Sequence, residues 1–371
     1  MQFAILHTRR IWGGWPLFLL VFLFGPASRA QDVTKFGLHL KDEVPVSTES
    51  VSAFVDPIRC DPKGDLYLRA YQPSNLFDAP IAKISREGKR TAVFSVASVS
   101  GFEHAQLYNF AVGLGGELYA LVVTAKDGKR ELDILKFEND GTFLFATKLG
   151  PVFTPAQLAV FPNGDFLVAG WKTLDHPRKA ATPTASQKDE HPSPPPVQPF
   201  AAIIDGSGRL LTELAIGHGG SSKNPGGSAS SEGMPSSEIS LGDAVAGADG
   251  NIYLMLRTIP KPTVSVISAG GIVLRRFEVA PPSETAQAMA MKYVSGHKLI
   301  FEFGQRVDSR RTDLKNEIFS VVDPETGARE IDYQSSPAIG GAFCCYSPND
   351  GFTFLGTTKD GQLVLRRVSP R

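Results

Sequence analysis

The sequence predicts an all-β chain folded as a six-bladed β-propeller of four-stranded blades. Three observations carry that expectation. A strand–turn–strand unit recurs about every fifty residues, nearly every copy is followed by a second hairpin, and no run keeps a helical period. Among the 371 residues are 36 Gly, 27 Pro and 24 Phe, the composition of a chain that turns often around an ample apolar core.

Residues 1–30 read as a secretory signal. Arg9 and Arg10 precede an apolar run from Ile11 to Phe24, and Ser28-Arg29-Ala30 supplies small residues before a cleavage point. The run contains Gly13, Gly14 and Pro16 and is shorter than the ~20 residues that span a bilayer, so cleavage near Gln31 is expected rather than a retained anchor. The whole chain carries 38 basic and 38 acidic residues, and residues 1–30 hold three Arg and no acid. The mature part, 31–371, is therefore slightly acidic and has no basic cluster, which gives no electrostatic reason to expect a nucleic-acid partner. No later segment is long and apolar enough for a transmembrane span.

The mature part reads as a single propeller domain. The turn units are Asp61 to Leu68, Leu114 to Ala120, Phe161 to Val168, Ala248 to Leu254, the degenerate Val294 to Ile300, and Pro348 to Leu355. Each has a Gly, Asn or Asp at the turn, residues that accept the backbone angles of tight hairpins. The intervals between turn glycines are 52, 48, 86, 46 and 55 residues, and the long one holds two low-complexity insertions, at about 172–199 and 217–238. Second hairpins follow at Ile81 to Val93, Asp133 to Thr147, Ala201 to Leu214, Val264 to Val279 and Glu317 to Tyr333. Four strands per repeat make a propeller blade. After the sixth turn only Gln362 to Val368 remains, so an outer strand is missing. Phe36 to Leu40 is a free extended segment able to supply it and to cover the open edge, giving closure by the N-terminal strand.

At these turns, of the form D-x-x-G-x-L-Y-V, the chain resembles the NHL-repeat and TolB-like six-bladed propellers over most of its mature length. The resemblance implies the fold. It covers scaffolds and sensors as well as lactonases and lyases with a divalent metal at the central channel, and no catalytic motif of those enzymes matches residue by residue.

Seven residues before each turn glycine stand Pro57, Asn109, Gln157, Asp243, Met289 and Cys344. Asn109, Gln157 and Asp243 are polar where inner strands are otherwise apolar, and are candidates for a polar ligand or simply for channel water. Seven residues after the glycines, Tyr71, Trp171 and Arg257 are candidates to stack on or pair with an anionic or sugar-like ligand at the same mouth, against packing beneath a loop. The cysteines are Cys60, Cys344 and Cys345. Cys60 bonded to one of the pair, a Cys344–Cys345 bond, and three buried thiols all remain open.

The expected function is that of an exported binding or interaction module, periplasmic or extracellular, with a protein, peptide or small polar ligand as partner and no cofactor. The alternative is a lactonase- or lyase-like enzyme, which requires a divalent metal such as calcium at Asn109 and Asp243. The two insertions share one face and mark the expected partner surface.

Overall fold

The computed structural model describes residues 33–47, 53–71, 79–126, 128–151, 153–173, 197–216, 240–294, 297–306, 314–336, 339–347 and 350–371. The signal-like segment 1–30 lies outside them, as do most of the first insertion and all of the second.

Every Gly-bearing turn of the repeat connects two antiparallel strands. The first strands in chain order are β1 (Thr34–Pro45), β2 (Ala53–Cys60), β3 (Leu66–Tyr71), β4 (Ile81–Ile84) and β5 (Arg90–Phe94). They are followed by β6 (Gln106–Val112), β7 (Leu118–Lys126), β8 (Lys129–Phe137), β9 (Phe143–Lys148), β10 (Thr154–Val160), β11 (Phe166–Thr173), β12 (Val197–Ile204) and β13 (Leu210–Leu214). Then come β14 (Ser240–Ala246), β15 (Ile252–Arg257), β16 (Thr263–Ile267), β17 (Val273–Glu278), β18 (Gln287–Val294) and β19 (Lys298–Arg306). The last are β20 (Leu314–Val322), β21 (Arg329–Gln334), β22 (Ala342–Ser347), β23 (Gly351–Thr357) and β24 (Leu363–Pro370).

The strands form a β-propeller. Four of its sheets are separate four-stranded blades: β2–β5, β6–β9, β10–β13 and β14–β17. The remaining strands make one eight-stranded sheet in the order β18-β19-β20-β21-β1-β24-β23-β22, so hydrogen bonding does not divide the chain into six separate four-stranded sheets as the repeat predicts. The physical reason is the length of β1. Its first residues pair in parallel with β21, from Thr34↔Ile331 to Gly37↔Gln334, and it then runs antiparallel along β24, from Leu38↔Pro370 to Pro45↔Val364.

The innermost strands β2, β6, β10, β14, β18 and β22 each contact the next, and β22 contacts β2, so they ring a central channel. Between consecutive sheets lie apolar clusters, such as Tyr67, Phe94, Phe110, Leu118 and Phe137 between the first two blades. A cluster of Ile58, Leu66, Leu68, Cys344, Leu355 and Leu365 packs the last strands of the chain against the first blade. Burial of this apolar surface is the main force holding the ring.

Outer hairpin turns also lock neighbouring sheets. Gly141, at φ +96°, lies so close to the backbone of Val93 on β5 that a Cβ there would collide with it. Gly208 meets Lys148 of β9 in the same way, and Gly88 meets Pro45 of β1.

Candidate functional site

Each inner strand is interrupted near its middle. The ladder shifts between Val55 and Arg59, Leu107 and Asn109, Pro155 and Gln157, Leu241 and Ala244, Ala288 and Ala290, and Phe343 and Cys345. A bulge re-aims side chains, and the polar residues anticipated from sequence stand at these bulges. Asn109 is buried; its Nδ2 donates to the Ala156 carbonyl at 2.6 Å and approaches Gln157 Oε1 at 3.4 Å, and its Oδ1 accepts from Phe110 N at 2.7 Å. Asp243 accepts from Met291 N at 2.8 Å. These side chains bridge neighbouring inner strands that share no ladder.

The structure does not gather the other candidates into one site. Trp171 packs at the edge of the cluster containing Leu241 and Ile216, between β11 and β14. Arg257 donates to the Met289 carbonyl at 2.6 Å. Tyr71 ends β3, and its side chain lies outside the described residues. Among the described residues no group of three His, Cys, Asp or Glu side chains is placed to hold a metal ion, and Asn109 and Asp243 are tied to different partners. Likewise, among the described residues no helix is long and apolar enough to cross a membrane.

A cavity of about 550 Å³ lies at the mouth formed by the inner turns. It is lined by residues of the turns themselves, such as Gly64, Leu114 and Asp350, and by strand residues on the channel side of the bulges: Ala111, Leu158, Ala159, Ala244 and Val245. None of Asn109, Gln157, Asp243, Tyr71, Trp171 or Arg257 is among its lining residues. The sequence marks the two insertions, not the inner turns, as the expected partner surface. In the structure the strand ends supply the walls, so short turns suffice.

Two cations that the sequence reading passed over face this cavity, Arg59 on β2 and Lys292 on β18. Arg59 is 9% exposed and reaches across the channel, its NH1 3.6 Å from Asp243 Oδ1 on β14. Its Nε lies 3.5 Å from the Phe110 carbonyl, while the NH1 and NH2 groups are buried with no hydrogen-bond acceptor. Lys292 donates from Nζ to the Ile58 carbonyl at 2.9 Å. Burial holds its ammonium below the usual lysine range, partly opposed by Asp243 and reinforced by Arg59. Arg59, Asp243 and Lys292 thus bring charge together from the inner strands β2, β14 and β18. A sequence signal for it existed: Arg59 and Lys292 occupy the positions five and four before their turn glycines, where the other repeats carry mostly Ala and Val.

The cavity wall also carries sulfur. Cys60 and Cys345 form a disulfide with Cα atoms 6.2 Å apart, joining β2 to β22. Cys344 is buried outside the disulfide, and its thiol donates to the Ala342 carbonyl at 3.3 Å.

Fold and site together define a β-propeller with a cavity at the mouth of its inner turns, faced by Arg59 and Lys292. No family model and no curated protein matches the chain. Among solved structures it is similar to a protein of unknown function from Dyadobacter fermentans, at 12% identity over 90% of this chain and 100% of that one, with a TM-score of 0.50. Slighter likenesses are to YCF48 bound to a D1 peptide, at 10% identity over 91% and 98% with a TM-score of 0.45, and to the Dos1 propeller, at 9% over 82% and 75% with a TM-score of 0.38. The likeness to the Dyadobacter protein is one of fold alone.

Proposed function

We propose that this chain is an exported, non-catalytic propeller that binds a ligand or partner in the periplasm or outside the cell. Export rests on the charge, apolar run and small residues of segment 1–30. The binding reading is carried by one observation, the cavity of about 550 Å³ set into a ring of packed sheets, with both apolar walls and charged groups. Concave sites of this size on rigid scaffolds are where ligands are held. The insertions at about 172–199 and 217–238 remain a proposed second contact surface at the other mouth.

The scaffold is read as six blades. The eight-stranded sheet then comprises β18–β21 and a last blade of β22–β24 whose outer strand is β1. Support comes from the ring of inner strands and from Gly88, which meets β1 as Gly141 meets β5 and Gly208 meets β9. The D-x-x-G-x-L-Y-V turns support kinship with NHL-repeat and TolB-like propellers.

The test is a ligand-observed NMR screen of the small molecules and peptides found outside the producing cell, run against the full chain and against Ser347→Trp at the half-buried cavity rim. At least one compound should show saturation transfer that the rim variant abolishes. Identical responses from both proteins across the screen would remove the cavity from the functional account.

A further inference from the structure

We infer that the cavity is a receptor for a small monocarboxylate with an apolar body, its carboxylate seated on Arg59 and Lys292. This rests on the binding reading above and names its ligand class. A guanidinium has five N–H donors in a rigid fork. In Arg59 the NH1 and NH2 groups are buried without an acceptor, and Asp243 Oδ1 at 3.6 Å is beyond hydrogen-bond length. Unsatisfied buried donors are costly. These belong to a cation that lines a cavity large enough for a ligand, and a planar carboxylate matches the fork with two parallel bonds.

The neighbours narrow the class. Asp243 stands beside Arg59, and Asp243 and Glu302 both act on Lys292, so two internal carboxylates already accompany the two cations. A single carboxylate on the ligand adds less repulsion from them than a dianion such as phosphate would. Ala111, Leu158, Ala159, Val160, Ala244 and Val245 give part of the wall a hydrocarbon surface for the ligand's body, beside Tyr346, Ser347 and Thr353, which can hydrogen-bond. About 550 Å³ is far more room than a lone carboxylate fills.

The experiment is isothermal titration of the full chain with acetate, butanoate and hexanoate, with hexanamide, inorganic phosphate and adipate as comparisons. Affinity should rise about fourfold per added methylene as the body enters the apolar walls. Hexanoate should exceed hexanamide, phosphate and adipate at least tenfold. Arg59→Gln should weaken hexanoate at least tenfold and leave hexanamide unchanged, while Asp243→Asn should tighten hexanoate and admit adipate. Equal binding of hexanoate and its amide, an unchanged affinity in Arg59→Gln, or weaker hexanoate in Asp243→Asn would each overturn the assignment. If Arg59→Gln does not fold, the acid–amide comparison on the unaltered chain and the Asp243→Asn titration decide. A pentapeptide that displaces hexanoate through its free C-terminal carboxylate, and binds tighter than any monocarboxylate tried, would move the site to peptide ends and refute the small-molecule assignment. Should no monocarboxylate bind while the NMR screen still yields cavity-dependent ligands, the ligand class is wrong and the binding reading stands.

Discussion

Leu38→Ala tests whether β1 is an integral strand of the ring or a dispensable edge. Along β1, Leu38 is the one fully buried side chain, 6% exposed, packed with Val368, Phe352 and Tyr333, while Lys35, Leu40 and Lys41 are exposed. Leu→Ala at a buried site costs about 2–5 kcal/mol, so about 3 kcal/mol is expected. Phe36, stacked on Tyr333 at 5.9 Å between centroids, adds about 1 kcal/mol more if removed with it. Deleting Phe36 to Leu40 should therefore begin unfolding well before either point variant. Urea titration of the full chain, with Lys35→Ala as an exposed control on the same strand, reads the difference. A Leu38→Ala midpoint indistinguishable from that of Lys35→Ala would refute the structural role of β1.

Reducing the Cys60–Cys345 disulfide, or replacing both residues by Ser, releases a loop of 285 residues and should cost up to about 5 kcal/mol; an unchanged urea midpoint under reductant would show that the bond carries none of the ring's stability. The Tyr67 hydroxyl donates to the Gly116 carbonyl at 2.9 Å, and burial pushes its pKa from 10.0 up to about 12. Because the folded value is the raised one, this contribution is complete below pH 10 and is lost as pH climbs toward 12; phenolate absorbance should lose a late-titrating component in Tyr67→Phe, and an identical titration would contradict the assignment. Gly141→Ala places a side chain at φ +96° against the Val93 backbone and should cost more than 1 kcal/mol, measurable as a lower thermal midpoint, whereas Gly164→Ala, with open space at its Cβ, should cost less.

The turns were legible because their chemistry is local. Gly64, Gly116, Gly164, Gly250 and Gly351 all take positive φ, and each marks the step from an inner strand to the next. In the degenerate fifth repeat His297 takes the left-handed conformation, at φ 55°. The cavity was not legible for a non-local reason. The sequence marks a single register, seven residues before each glycine, as the row at the channel mouth, but the bulges at Asn109, Gln157 and their counterparts shift the alternation. The chemistry-bearing side chains fall two and three residues later, and only the ring brings Arg59 of β2 against Asp243 of β14. The eight-stranded sheet was equally hidden, since nothing in residues 34–37 announces a parallel partner in residues 331–334.

Arg371 N donates to the Gly37 carbonyl at 2.9 Å. That single contact makes the ring a candidate for circular permutation. A chain opened at the exposed turn between Asn163 and Gly164, with residue 371 linked to residue 33 through a few glycines, would keep every packed face and merely move the seam.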